Sequence, residues 1–85
     1  MKFEGFSHPE WFKDNGLPII YACACGNDDQ DAFTIVGHNG FFNECHVMCD
    51  ICKITGVVRP TPQDAILSWN TAMVHVQVER ILDGN

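Results

Sequence analysis

Positive charge is scarce in this chain. Lys2, Lys13, Lys53, Arg59 and Arg80 are its only Lys and Arg residues, against eleven Asp and Glu, and the formal charge is -6. The five are spread along the sequence rather than clustered. Sequence-independent nucleic-acid binding depends on Lys and Arg neutralising phosphates, so this balance argues against it. An acidic surface keeps a protein soluble and suits basic protein partners, nucleic-acid enzymes among them. Long apolar runs are also missing. No segment approaches the roughly 18 residues of a membrane span. Met1–Phe6 has neither the apolar stretch nor the cleavage site of a signal peptide. A cytoplasmic protein without a membrane partner is therefore expected. No glycine-rich phosphate loop, Ser-His-Asp pattern or His-x-Glu deaminase pattern is present, and the expectation is that the protein is not an enzyme.

What the chain does have is cysteine. Five cysteines in 85 residues are an odd number, and intracellular disulfides are disfavoured, so metal binding explains them better than a disulfide framework. One domain spanning 1-85 is expected, and a domain this short gains from a staple. Cys49-Asp50-Ile51-Cys52 is a standard zinc half-site, because a tight turn aims both sulfurs at one point. Cys23-Ala24-Cys25-Gly26 is one residue shorter. Positions i and i+2 of a strand share a face, a kink would let both sulfurs reach one ion, and Gly26 supplies backbone freedom. The expected ligands are Cys23, Cys25, Cys49 and Cys52, around a structural Zn2+. Cys45 or the neighbouring His46 could instead replace Cys23, and buried free thiols without metal are the remaining reading. His8, His38 and His75 read as surface or packing residues.

Around these pairs the chain has recognisable punctuation. Ser7-His8-Pro9-Glu10 resembles a capping box opening a short helix that carries Trp11 and Phe12 and stops at Asn15-Gly16. Those aromatics would add area to the core or meet a partner. Leu17 to Cys23 reads as a strand, and Asn27 to Asp31 as a solvated loop without calcium-loop spacing. Phe33 to His38 and Phe41 to Met48 read as a hairpin about Asn39-Gly40. A turn and then a third strand would follow within Lys53 to Arg59. Thr61 caps a C-terminal helix with Pro62 in its first turn and Asp64 at its positive end. Its apolar face is Ala65, Ile66, Trp69, Ala72, Met73 and Val76. Val74 to Leu82 fits either continued helix, the favoured reading, or a strand, and would be a place for a homodimer contact.

The assembled pattern resembles the Lar-type restriction alleviation proteins, small zinc-ribbon proteins of phages and prophages. The matching residues are Cys25-Gly26, Val47-Met48-Cys49-Asp50-Ile51-Cys52, Gly56 and Ala65-Ile66-Leu67-Ser68-Trp69-Asn70. They cover roughly residues 20 to 73, and the Trp-Asn helix is the most specific part. The chain departs from the family at Cys23-Ala24-Cys25-Gly26, where Cys-Pro-x-Cys-Gly is usual, and in its longer N-terminal segment. The resemblance implies a phage-encoded protein that helps invading DNA escape restriction by contacting host restriction-modification components. The alternative is a nucleic-acid- or transcription-machinery-binding ribbon. Either way the expected fold is α+β: a zinc ribbon with a core over about 17-78, an antiparallel hairpin-based sheet, a short N-terminal helix and a C-terminal helix packed on the sheet.

Overall fold

The computed structural model describes residues 1–6, 16–40 and 44–82; the side chains of 39, 40 and 77–82 are outside the description. The expected N-terminal helix with Trp11 and Phe12 lies outside the described residues. Three strands and one long helix make the frame: β1 (Lys2–Phe6), β2 (Phe33–Gly40), β3 (Cys45–Cys49) and α1 (Pro62–Leu82), with a 3-10 turn at Gln30–Ala32 before β2. The architecture is α+β, as the sequence implies. The sheet is mixed rather than purely antiparallel, in the order β1-β2-β3.

β2 and β3 form the expected antiparallel pair, with Phe33 opposite Cys49 and Ile35 opposite Val47. The turn does not fall at Asn39-Gly40. Both residues extend β2, because Gly40 pairs with Phe6 of β1. β1 itself was not foreseen. It lies parallel to β2, with Phe3 beside Ile35 and a bulge between Glu4 and Phe6. Gly5 occupies that bulge at φ 77, and a Cβ built on it would collide with the Gly37 carbonyl oxygen. Only glycine fits both demands. Gly5→Ala is expected to cost about 2 kcal/mol or more, given the usual penalty for a left-handed non-glycine residue. An unchanged urea midpoint would refute this.

The strand expected within Lys53 to Arg59 is reduced to isolated bridges, Cys45 with Arg59 and Met48 with Thr55. Leu17 to Cys23 joins no strand among the described residues. Its peptide groups are held by side-chain amides instead. The Ile20 N–H donates to Gln30 Oε1 (3.0 Å), and Gln30 Nε2 donates to the Ile20 carbonyl (2.7 Å). The Tyr21 N–H donates to Asn70 Oδ1 (2.8 Å), and Asn70 Nδ2 donates to the Ile19 carbonyl (2.8 Å). Trp69 Nε1 then donates to the Tyr21 carbonyl (3.0 Å). A primary amide offers the same donor and acceptor as a peptide, so Gln30 and Asn70 stand in for neighbouring strands.

α1 begins as expected. The Asp64 N–H donates to Thr61 Oγ1 (3.1 Å), the capping bond, and Pro62 is the first helical residue. The helix continues through Val74 to Leu82, so the favoured helical reading of that stretch holds. Ala65, Ile66, Trp69 and Met73 recur at helical spacing and are buried with Ile20, Phe33, Ile35 and Val47. Ala72 is exposed and Val76 only half-buried, so the core-facing stripe is narrower than the sequence suggested. Trp69 meets Phe33 edge-on, with ring centroids 5.8 Å apart.

Candidate metal centre

Two turns carry the cysteine pairs. In the first, the Gly26 N–H donates to the Cys23 carbonyl and the Cys23 N–H to the Asn27 carbonyl, both at 2.9 Å. In the second, the Lys53 N–H donates to the Cys49 carbonyl (2.9 Å) and the Cys49 N–H to the Ile54 carbonyl (3.0 Å). Each turn is followed by a left-handed residue, Gly26 at φ 97 and Lys53 at φ 66. The shortened first pair is thus a true turn, closed by a bond across three residues where the second closes across four.

The turns bring Cys23, Cys25, Cys49 and Cys52 together, with all four sulfurs within 4.8 Å of one another. Cys23 Sγ is 3.5 Å from Cys52 Sγ, and Cys25 Sγ is 3.7 Å from Cys49 Sγ. Sulfurs held about 2.3 Å from a tetrahedral zinc would be about 3.8 Å apart, so these two edges already match a metal-filled tetrahedron. The cluster can hold a metal ion. Cys23 and Cys49 are buried, Cys52 is half-buried and Cys25 is exposed, so the cluster lies at the edge of the core with one corner toward solvent.

The surrounding residues lock the two turns to each other. The Ala32 carbonyl accepts from Asn27 Nδ2 (3.1 Å), beside the first turn, and from the Asp50 N–H (2.9 Å), inside the second. Asn27 Nδ2 also reaches Cys49 Sγ at 3.4 Å. The Asp50 carboxylate accepts from Thr34 Oγ1 (2.7 Å) and from Lys2 Nζ (2.9 Å), which ties the second turn to β2 and β1. Sequence reasoning missed these supports. It took Asn27 for part of a solvated loop, and no spacing rule links Lys2 to Asp50. An asparagine two residues after a cysteine was the available signal.

The electrostatics divide the sulfurs. Burial first, then the neighbouring thiols, pushes the Cys23 thiol up to about 12, against the opposing backbone N–H of Cys25. Burial also acts to raise Cys49. It is outweighed by hydrogen bonds from the Cys52 N–H, the Asn27 amide, the Ile51 N–H and the Cys52 thiol, which bring Cys49 down to about 6. These hydrogen bonds favour the Cys49 thiolate and make it the natural first contact for a cation. Burial works to raise the Asp50 carboxyl as well, but bonds from Lys2 and Thr34 and the charges of Lys2 and Lys53 hold it below its ordinary value.

The alternative ligands are not part of this cluster. Cys45 is buried, its Sγ lies 3.4 Å from the Arg59 carbonyl, and burial together with Asp64 pushes it up to about 11. It is a core thiol. His46 faces His38 across β2 and β3, with its pKa lowered by burial and then by the charge of His38. His75 is exposed on α1, and His8 lies outside the described residues.

No family model, curated protein or solved structure matches this chain. Among the described residues, no helix is long and apolar enough to cross a membrane.

Proposed function

We propose that this protein is a zinc-ribbon binding module. Cys23, Cys25, Cys49 and Cys52 hold one structural Zn2+, and the acidic surface engages a basic host protein. The observation that carries the reading is the convergence of four sulfurs from two turns on one point. Four thiolates complete a tetrahedral zinc shell and leave no position for a reactive water, so the role is structural rather than catalytic. Zinc would neutralise the clustered thiolates and convert its binding free energy into folding free energy. The net charge of -6 supports a basic protein partner over a phosphate backbone. Exposed Ile51, Ile54, Val57 and Val58, in and after the second turn, add apolar area that a protein partner could cover. The Lar-type resemblance makes restriction alleviation in an infected cell the activity we propose.

Native mass spectrometry under reducing conditions tests the ligand set. One zinc per chain is expected in the wild type and in Cys45→Ser, with zinc lost from Cys23→Ser. Zinc retained without Cys23 would bring Cys45 or His46 back into the site. A wild type without zinc would overturn the reading. The activity is tested by expressing the protein in a restricting host and plating unmodified phage. Raised plating efficiency, absent in a zinc-free variant, is the expected result, and plating unchanged by the wild type would refute restriction alleviation. A low-salt gel shift should show no DNA or RNA bound.

The site should also fail in acid. The Cys49 pKa lies below the ordinary thiol value of 9.0, so its contribution to stability is complete above 9.0 and is lost as pH falls through about 6. Bound metal lowers that transition further, because protons must displace it. Zinc release to a colorimetric chelator and loss of far-ultraviolet dichroism should coincide at pH 6 or lower. Complete release already at pH 7.5 would contradict the assignment.

A further inference from the structure

We infer that His38 and His46 form a second metal site, a two-imidazole clamp on the outer sheet surface for a borderline divalent transition ion such as Ni2+ or Cu2+. The two residues come from adjacent antiparallel strands. His46 pairs with Val36, and the His38 backbone N–H donates to the Glu44 carbonyl at 2.9 Å, so the two histidines are diagonal neighbours. Their rings tilt at 44° with centroids 4.8 Å apart. His38 Nε2 lies 2.8 Å from His46 Nδ1. Two nitrogens each about 2.0–2.1 Å from one ion and at right angles to each other lie about 2.9 Å apart, whereas a tetrahedral ion would spread them to about 3.3 Å. The two nitrogens are close enough for a small ring rotation to bring both lone pairs onto one ion, and imidazole with water suits Cu2+ and Ni2+. Without metal, one tautomer closes the same gap with a hydrogen bond, so the two rings are already gathered on rigid strands. Water would fill the remaining positions. The donors differ in kind from the thiolates of the cysteine cluster, so the two sites would select different ions.

The test is Ni2+ titration of zinc-loaded protein, followed by calorimetry and by paramagnetic broadening of imidazole resonances. Native mass spectrometry confirms throughout that zinc stays in place, so failure here is separable from failure of the zinc reading. One Ni2+ per chain is expected, with broadening centred on His38 and His46. Removing one arm turns a chelate into a single contact, so His38→Gln and His46→Ala should each weaken binding about tenfold or more. His75→Ala should leave it unchanged. An unchanged thermal melt in His38→Gln separates ligation from folding, since glutamine keeps a polar side chain on the strand. Affinity unaffected by either substitution, or broadening centred on His8 or His75, would overturn the site.

Discussion

Cys49→Ser and Cys52→Ser are each expected to abolish the cooperative melt. The magnitude follows from comparison of two scales. Structural zinc sites release about 10–16 kcal/mol on binding, and a small domain is stable by only about 5–15 kcal/mol in total. Losing the proposed zinc should therefore remove most or all of the folding free energy. Cys49 is the more severe position. It is fully buried, sits at the end of β3 opposite Phe33, and its sulfur receives the Asn27 amide. Serine there gives up a proposed thiolate ligand and places a poor one in an apolar setting. Circular dichroism melts with parallel zinc counting provide the check. A native-like, cooperative melt in either variant would defeat the structural role of the metal.

Trp69→Ala is the second large loss, expected to cost about 3–5 kcal/mol through lost burial and the cavity left behind. Trp69 is the largest fully buried side chain among the described residues. Two further contributions go with it. The edge-on contact to Phe33 disappears, typically about 0.5–1.5 kcal/mol. The Tyr21 carbonyl loses its indole donor, which costs about 1–3 kcal/mol where water cannot replace it. Trp69→Phe separates these effects by keeping an aromatic ring while deleting the N–H, so its cost should be near the hydrogen-bond value. Urea denaturation followed by dichroism would measure both. A midpoint for Trp69→Ala close to wild type would show that the helix does not anchor the core.

The parts of this fold legible in the sequence are those written in local chemistry. Thr61 and Pro62 mark the helix start because capping uses neighbouring residues. Ile66, Trp69 and Met73 mark its buried face because periodicity is local too. The sulfur cluster was legible because a pair of cysteines closely spaced on a turn has few other uses. The parts that were missed depend on distant partners. β1 pairs with residues more than thirty positions away, and a five-residue segment interrupted by Gly5 carries little strand signal. Leu17 to Cys23 has the composition of a strand, but its partners are the amides of Gln30 and Asn70, which no alternation pattern encodes. Asn39-Gly40 signals a turn by composition, yet pairing with Phe6 draws Gly40 into β2. The ties of Asn27 and Lys2 to the second turn were hidden for the same reason.

The clasp of Trp69 and Asn70 on residues 19–21 has a consequence for the order of events during synthesis. A ribosome delivers all four cluster sulfurs by Cys52, well before it delivers the two side chains that fasten the segment leading into Cys23. The nascent chain can begin to gather metal through Cys49 and Cys52, but its first half-site stays untethered on one side until the helix emerges. Completion of the centre therefore waits for Trp69 and Asn70 rather than for the arrival of the sulfurs.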